Sequence, residues 1–180
     1  MSQTATTTTV WTIDPSHSAV EFSVKHMMFA TAKGRFSDVQ GTITLDNEQV
    51  ANSSVEVEIG AASVDTRDAK RDEHLKAADF FDAETYPTLT FRSTKVEPSG
   101  ESDLRVTGDL TIHGVTKEVV LDTELNGQGT NPWGQGVISY TAHTKINRKD
   151  FGLNWNAALE SGGVLVSEEV KIAIEIEANS

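Results

Sequence analysis

The chain contains 180 residues, of which 15 are Lys or Arg and 27 are Asp or Glu, so its formal net charge at pH 7 is −12. A chain this acidic repels phosphate groups, which disfavours nucleic acids and anionic membranes as partners. The absence of cysteine excludes disulfide bonds, thiolate metal sites and thiol nucleophiles. The length suggests one compact domain, and about a quarter of the residues are Val, Ile, Leu or Phe, above the roughly 20% below which chains are disordered.

The first nine residues are polar and end in a run of threonines. They lack the basic and apolar regions of a secretory signal peptide, so we expect a disordered lead over residues 1–9 and a single domain over residues 10–178. The apolar runs along the chain are too short for a transmembrane helix. These features together predict a cytoplasmic protein.

Alternation of apolar and polar residues dominates the chain and predicts β-strands with one apolar and one solvated face. The clearest alternations cover residues 20–25, 55–59, 104–113, 118–125 and 170–177. Less regular strand candidates cover residues 10–13, 35–45, 88–96 and 136–146. The many threonines fit this interpretation, because a β-branched hydroxyl suits the solvated face of a sheet.

The predicted joints between these strands are short and rich in turn residues. They lie at residues 46–47, 98–100, 126–127 and 161–163. Short joints make neighbouring strands antiparallel, because a parallel crossover needs a dozen or more residues. A sandwich or a barrel would bury the apolar faces, and sequential hairpins favour the barrel. The sequence therefore predicts an all-β fold, an up-and-down antiparallel β-barrel of about eight strands.

One charged, Ala-rich segment interrupts the alternation between residues 65 and 81. Its apolar residues Leu75, Ala78 and Phe81 recur at helical spacing, which predicts one short α-helix over residues 67–77, packed on the barrel. Thr66 or Asp65 is the expected N-cap. We expect Leu75 to lie against one end of the barrel.

Residues 26–32 include Met27, Met28 and Phe29, which fit no alternation and suggest a short turn. The five histidines have neither the spacing of a helical metal site nor an HExxH motif, so we expect no metal and no cofactor. Paired carboxylates are abundant but are typical of solvated faces in so acidic a chain. The GxSxG motif is absent. The sequence thus carries no catalytic signature and predicts a protein that is not an enzyme.

Several ordered blocks of residues between about residue 10 and residue 177 resemble the YceI-like family, whose members are known as polyisoprenoid-binding proteins. The blocks are residues 11–18 (Trp-Thr-Ile-Asp-Pro-Ser-His-Ser), 20–26 (Val-Glu-Phe-Ser-Val-Lys-His), 34–37 (Gly-Arg-Phe-Ser), 71–75 (Arg-Asp-Glu-His-Leu), 79–82 (Asp-Phe-Phe-Asp), 86–91 (Tyr-Pro-Thr-Leu-Thr-Phe), 108–117 (Gly-Asp-Leu-Thr-Ile-His-Gly-Val-Thr-Lys) and 146–153 (Ile-Asn-Arg-Lys-Asp-Phe-Gly-Leu). The resemblance implies a lipocalin-like barrel with an elongated apolar pore for an isoprenoid chain, often in a homodimer. Many relatives carry a secretion signal, which residues 1–9 lack. The resemblance implies no catalytic residues.

A barrel of about eight strands has an interior that its side chains fill or that holds one small ligand. The predicted lipid-contacting residues are Phe22, Val24, Phe29, Phe36, Phe80, Phe91, Val106, Leu110, Ile112, Trp155 and Ile174. Arg35 and Arg148, with Lys33 as a further cation, are the candidates for a head-group site at the rim.

The expected partner is a polyisoprenoid, a quinone or another long-chain lipid, and the sequence does not choose between a pyrophosphate and a neutral head group. We expect a carrier or sequestering protein. The alternatives are an enzyme acting on a small hydrophobic or lipid substrate in the same barrel, and a structural protein whose barrel is filled.

Overall fold

The computed structural model describes residues 8–156, 159 and 165–180. Within these residues, eleven strands form one sheet and one α-helix lies outside it. The strands are β1 (Thr8–Ile13), β2 (Ala19–His26), β3 (Ala30–Phe36), β4 (Val39–Asp46), β5 (Ser54–Gly60), β6 (Val64–Asp65), β7 (Thr88–Pro98), β8 (Asp103–Ile112), β9 (Val115–Thr130), β10 (Gly136–Asn147) and β11 (Glu169–Asn179). The helix α1 spans Ala69–Lys76.

The sheet closes into an antiparallel barrel of eight strands, which confirms the predicted fold. Strand β11 pairs with both β1 and β2, so that these two form one bent barrel strand. In the same way β3 and β4 form the next barrel strand, and β5 and β6 the one after it, because β2 and β6 flank β3 while β1 and β5 flank β4. Strands β7 to β11 then follow in chain order.

The direction of the strands distinguishes two ends of the barrel. The upper end carries the turn between β2 and β3, the helix α1 with the loop that follows it, and the segment after β10. The lower end carries the turns at residues 47–53, 99–102 and 131–135. Trp11 is 4% exposed and packs beside Gly136, so it fills space at the lower end.

The bend between β1 and β2 has a local cause in the sequence. Pro15 has no N–H to donate to a neighbouring strand and begins a 3-10 turn over Pro15–His17. The side chain of Asp14 caps this turn by accepting a hydrogen bond from the backbone N–H of Ser16 (2.9 Å). One barrel strand can therefore change direction there without losing its neighbours.

Helix α1 begins two residues later and ends one residue earlier than predicted, and its N-cap is Asp68. The Asp68 carboxylate accepts hydrogen bonds from the backbone N–H groups of Lys70 and Arg71 (3.1 and 3.2 Å). The predicted caps have other roles, because Asp65 accepts from the N–H of Arg67 and the Thr66 hydroxyl donates to a carboxylate of the helix. As expected, Leu75 packs on the barrel core.

The turn predicted at residues 126–127 is wrong. Strand β9 continues to Thr130, and Asn126 forms a bulge there, since Gly127 is paired with Ser139 and Leu125 with Tyr140. The chain reverses at residues 131–135 instead. The turn predicted at residues 161–163 lies outside the described residues.

The start of the folded domain also differs from the prediction, because β1 begins at Thr8 and pairs with β4 from that residue on. The rest of the predicted lead, residues 1–7, lies outside the described residues. In the part of the chain that the structure describes, no helix has the length and apolar character needed to cross a membrane.

Candidate ligand-binding cavity

A cavity of about 390 Å³ occupies the inside of the barrel. All eight barrel strands contribute apolar side chains to its wall, because each strand directs every second residue inward. Its volume lies within the range of about 300–1,000 Å³ that is usual for small-molecule sites. No Asp or Glu lines the cavity among the residues that the structure describes. The interior therefore offers room for an apolar ligand, and its described lining supplies no carboxylate for acid–base chemistry.

Ten of the eleven predicted lipid-contacting residues line this cavity. They are Phe22, Val24, Phe36, Phe80, Phe91, Val106, Leu110, Ile112, Trp155 and Ile174. Contact of these side chains with a ligand stays a prediction. Alternation located the strand residues well, because one face of each strand is apolar.

The placement of Phe29 in the pore is wrong. Phe29 lies at the tip of the β2–β3 hairpin and is 81% exposed. The alternation of β2 ends at His26, and the next two residues, Met27 and Met28, have left-handed backbone angles (φ 54° and 71°). This turn carries Phe29 outside the barrel.

Two glycines shape the wall by making room for aromatic rings. A Cβ atom at Gly34 would collide with the ring of Phe22, and one at Gly108 would collide with the ring of Phe91. Each ring thus packs against the backbone of the neighbouring strand, at a position where only glycine leaves room for it.

Aromatic side chains form a cluster at the upper end of the cavity. The rings of His74, Phe80 and Trp155 lie 4.9–5.4 Å apart between centroids, two of the three pairs edge-to-face. The Nε2 atom of His74 lies 2.9 Å from an oxygen of Asp79. Sequence reasoning identified Phe80 and Trp155 but missed His74, because nothing in a one-dimensional pattern brings helix α1 next to residue 155.

Arg148 is buried, at 4% exposure, and its guanidinium joins two segments of the upper end. It donates hydrogen bonds to the carbonyl oxygens of Leu153 and Trp155 (2.7 and 2.8 Å) on one side. On the other side it donates to the carbonyls of Ser167 and Val166 (2.8 and 3.3 Å). Burial lowers the pKa of Arg148, and the neighbouring Glu168 carboxylate opposes that effect. Arg148 therefore borders the cavity as a positive charge whose donors mostly hold the backbone.

Arg35 does not border the cavity, which corrects its assignment as a head-group candidate. Strand β3 turns Gly34 inward, so Arg35 and Lys33 point to the outer face, where both line a groove on the barrel surface. Lys33 also reaches the upper mouth of the cavity.

Arg71 lines the mouth as well, with its Nε donating to the hydroxyl of Thr66 (2.7 Å). Sequence reasoning missed Arg71, whose only signal was its position in a resembling block.

Asp14, His17 and Glu177 form a separate polar cluster outside the cavity. The Nδ1 atom of His17 lies 2.8 Å from an oxygen of Asp14 and 3.0 Å from an oxygen of Glu177. The hydrogen bond from His17 is the main cause that lowers the pKa of Asp14 to about 2, and the same bond raises the pKa of His17. A protonated histidine between two carboxylates accounts for this cluster, which ties the β1–β2 bend to β11.

We expect the His17→Gln variant to lose part of the pH dependence of stability. Folding favours the charged form of His17, so its contribution is fully present below its unfolded pKa of about 6.5 and disappears as pH rises through the raised folded pKa. The melting temperature of the wild type should therefore fall more steeply than that of the variant between about pH 6 and pH 9. Equal slopes in thermal unfolding would contradict this.

A closed eight-stranded antiparallel barrel around an apolar cavity defines the class of lipocalin-like barrel proteins. The model of the YceI-like domain matches residues 11–178 of this chain. The chain therefore belongs to the YceI-like family, as its sequence blocks suggested.

The relatives agree with this assignment. Protein YceI of Escherichia coli is 41% identical over 161 residues, which cover 89% of this chain and 81% of that protein. The crystal structure of BcnA from Burkholderia cenocepacia has a TM-score of 0.80 and 26% identity, with 92% of this chain and 98% of that chain covered. A polyisoprenoid-binding domain from Saccharophagus degradans shares the fold at a TM-score of 0.68 and 18% identity, with 94% and 98% covered.

Proposed function

We propose that the barrel binds one long apolar chain, such as an isoprenoid, in its cavity, and acts as a carrier or sequestering protein without chemistry of its own. The observation that carries this proposal is the apolar cavity itself, whose wall contains no carboxylate among the described residues. Transfer of each CH₂ group from water into such a wall contributes roughly 0.8 kcal/mol, part of which is offset by lost entropy on association. Binding of a polyisoprenoid by the structural relative from Saccharophagus degradans supports the same ligand class.

We further propose that the ligand enters through the upper end, with its head group near the aromatic cluster of His74, Phe80 and Trp155. Lys25, Lys33, Arg71 and Arg148 are the Lys and Arg side chains that border the cavity among the described residues. Arg148 contributes mainly its charge, since its donors bind backbone carbonyls. A neutral head such as a quinone or an alcohol suits this site without further ion pairs, whereas a pyrophosphate would depend on Lys25, Lys33 and Arg71.

The rival function is catalysis on a hydrophobic substrate in the same cavity. Catalysis would need at least two ionisable groups converging on one point of the substrate. His74 is the best candidate for one of them, and its partner Asp79 lies on the outer side, with 57% of its side chain exposed. This arrangement supports binding more than catalysis.

Native mass spectrometry of the purified protein, compared before and after extraction with an organic solvent, tests the proposal directly. A lipid that is released on extraction and rebinds in a ratio of one per chain would support it. If no lipid co-purifies and the extracted protein takes up no prenyl alcohol, prenyl pyrophosphate or quinone, the proposal is wrong.

A series of prenyl alcohols of increasing length should bind with increasing affinity until the cavity is full. The physical reason is that each added unit buries more apolar surface, so the heat capacity change on binding should be negative for every member. Isothermal titration calorimetry of the extracted protein measures both quantities. The affinity for a prenyl pyrophosphate of equal length should fall as salt is added, whereas the affinity for the alcohol should change little. An affinity independent of chain length would rule out burial in the cavity.

The resemblance to the family also leads us to propose a homodimer. Light scattering in solution tests this proposal.

A further inference from the structure

The hairpin between β2 and β3 places apolar side chains outside the barrel, beside the mouth of the cavity. Met27, Met28 and Phe29 are 41%, 58% and 81% exposed. The tip is fixed to the rim, because the N–H of Met27 donates a hydrogen bond to the carbonyl of Leu165 (2.8 Å) and His26 forms an isolated bridge with Val166. The apolar residues are thus held in place on an ordered turn.

The backbone of this turn is strained for the residues it contains. Met27 and Met28 both have positive φ angles, in the region that hairpin turns usually fill with Asn-Gly. Methionine lacks the conformational freedom of glycine and the polar side chain of asparagine that suit such a turn. The strain lowers stability and the exposed apolar side chains gain no burial in return, so their coincidence points to a function for the tip.

A row of lysines crosses the outer face of the sheet behind this tip. Lys145 is directly opposite Lys171, which is opposite Ser23, which is opposite Lys33. Like charges that face each other across an antiparallel pair are destabilising. The three lysines form no ion pair with the residues that the structure describes, and all three line one outer groove.

The local charge of this face is therefore opposite to the net charge of the chain. Five basic side chains line the outer groove against three carboxylates, which are Lys33, Arg35, Arg67, Lys145 and Lys171 against Glu21, Asp65 and Asp122. Exposed charges are screened beyond about 8–10 Å at physiological ionic strength, so carboxylates elsewhere on the barrel have little effect here. The acidic residues of α1 and its N-cap lie beside β3, because the helix follows β6, and two of them are engaged locally: Asp68 caps the helix and Asp72 accepts a hydrogen bond from Thr66.

We propose that the β2–β3 hairpin docks the barrel on the surface of a phospholipid bilayer. Met27, Met28 and Phe29 enter the boundary between head groups and acyl chains, and the lysine row of residues 33, 145 and 171 lies against lipid phosphates. This departs from the expectation, based on net charge alone, that anionic membranes are disfavoured. Docking in this orientation brings the mouth of the cavity to the bilayer. The proposed docking does not require an occupied cavity, so it can be tested independently of ligand binding.

Flotation with vesicles made of equal amounts of phosphatidylcholine and phosphatidylglycerol tests the role of the tip. We expect the wild type to float with the vesicles and the Phe29→Asp variant to bind at least about tenfold more weakly, since an aromatic anchor is replaced by a charge. The Phe29→Ser variant should also bind the vesicles more weakly than the wild type, although it adds no charge. Trp133→Asp is the matched control, because Trp133 is 82% exposed at the lower end, and this variant should float like the wild type. If Phe29→Asp and Phe29→Ser float like the wild type, the proposal is overturned.

A second pair of variants tests the lysine row. Lys145→Gln combined with Lys171→Gln should weaken binding to the mixed vesicles more than binding to pure phosphatidylcholine. The control combines Arg92→Gln with Lys95→Gln, which removes the same charge from β7, three strands from β10 and four strands from β11 around the barrel. This control should leave binding unchanged. An equal loss in both double variants would overturn the proposed orientation.

Two further measurements on Phe29→Asp separate docking from other roles of the tip. Titration with a prenyl alcohol should give the same affinity as for the wild type, because Phe29 does not line the cavity. Light scattering should give the same mass as for the wild type. If the variant loses a subunit contact instead and neither protein binds vesicles, the tip covers a second copy of the chain and the bilayer proposal is wrong.

Discussion

Replacement of Arg148 by Met is expected to destabilise the protein by about 3–5 kcal/mol, which lowers the melting temperature by roughly 10 °C for a domain of this size. The reason is that four backbone carbonyls on two segments lose their donor while they stay buried or half-buried. Met has a similar length and fills much of the same space, so the loss measures hydrogen bonding more than packing. Urea unfolding followed by circular dichroism gives the free energy directly.

Two control variants make this result specific to Arg148. Arg148→Lys should recover only part of the stability, because one ammonium group cannot reach carbonyls on both sides as a planar guanidinium does. Arg35→Met should be nearly neutral, since Arg35 is exposed on the outer face. A small effect of Arg148→Met, equal to that of Arg35→Met, would show that the carbonyls find other donors.

The contrast between these two arginines shows what the sequence does and does not determine about the site. Both were candidates for the same reason, a cation near turn residues. Only the fold separates them, because Arg35 faces outward on a regular strand while Arg148 follows β10 and turns back under residues 153–155. A buried arginine bonded to carbonyls of distant segments leaves no periodic signal in the chain.

The strands of the barrel could be predicted because alternation is a local property that burial of one face enforces. Val20, Phe22 and Val24 occupy the inner face that their spacing predicts, and Leu110 and Ile174 do the same on β8 and β11. The residues at which the strands end were harder to predict. Asn126 looks like a turn residue, yet its side chain donates to the hydroxyl of Thr141 (2.8 Å) and a bulge accommodates it within β9.

Phe29 failed as a pore residue for a different reason. An isolated aromatic residue next to a strand is predicted to lie in the core, because burial of such a ring is usually favourable. The two residues before Phe29 have left-handed backbone angles and reverse the chain. Both are methionines, a residue type that does not predict this conformation. The failure is informative, because local preference and observed structure disagree where the tip carries an exposed apolar surface, and such conflicts mark functional positions.

The cavity itself leads to the prediction with the largest expected effect on binding. Ala142 lies on β10, is 5% exposed and lines the cavity between its neighbours Thr123 and Ile174. The Ala142→Phe variant should place a ring in space that the proposed ligand needs. We expect its affinity for a prenyl alcohol to fall by at least about tenfold.

The same substitution should stabilise the unliganded protein, since filling a cavity commonly adds about 0.5–2 kcal/mol. Opposite signs for stability and binding are the specific signature of an empty binding cavity. In a barrel whose side chains already fill the interior, the added ring would instead strain the core and lower the free energy of unfolding by about 1–3 kcal/mol. Urea unfolding of the extracted protein and calorimetric titration measure the two quantities independently.

Ala173→Phe is the matched control for this experiment, because Ala173 is paired with His143 on the neighbouring strand and lies in the outer groove. It makes the same chemical change on the other face of the sheet, where the ligand should not reach. We expect ligand affinity equal to that of the wild type. If Ala142→Phe binds the prenyl alcohol as tightly as Ala173→Phe, the ligand does not occupy the interior of the barrel, and the carrier function would have to rest on another surface.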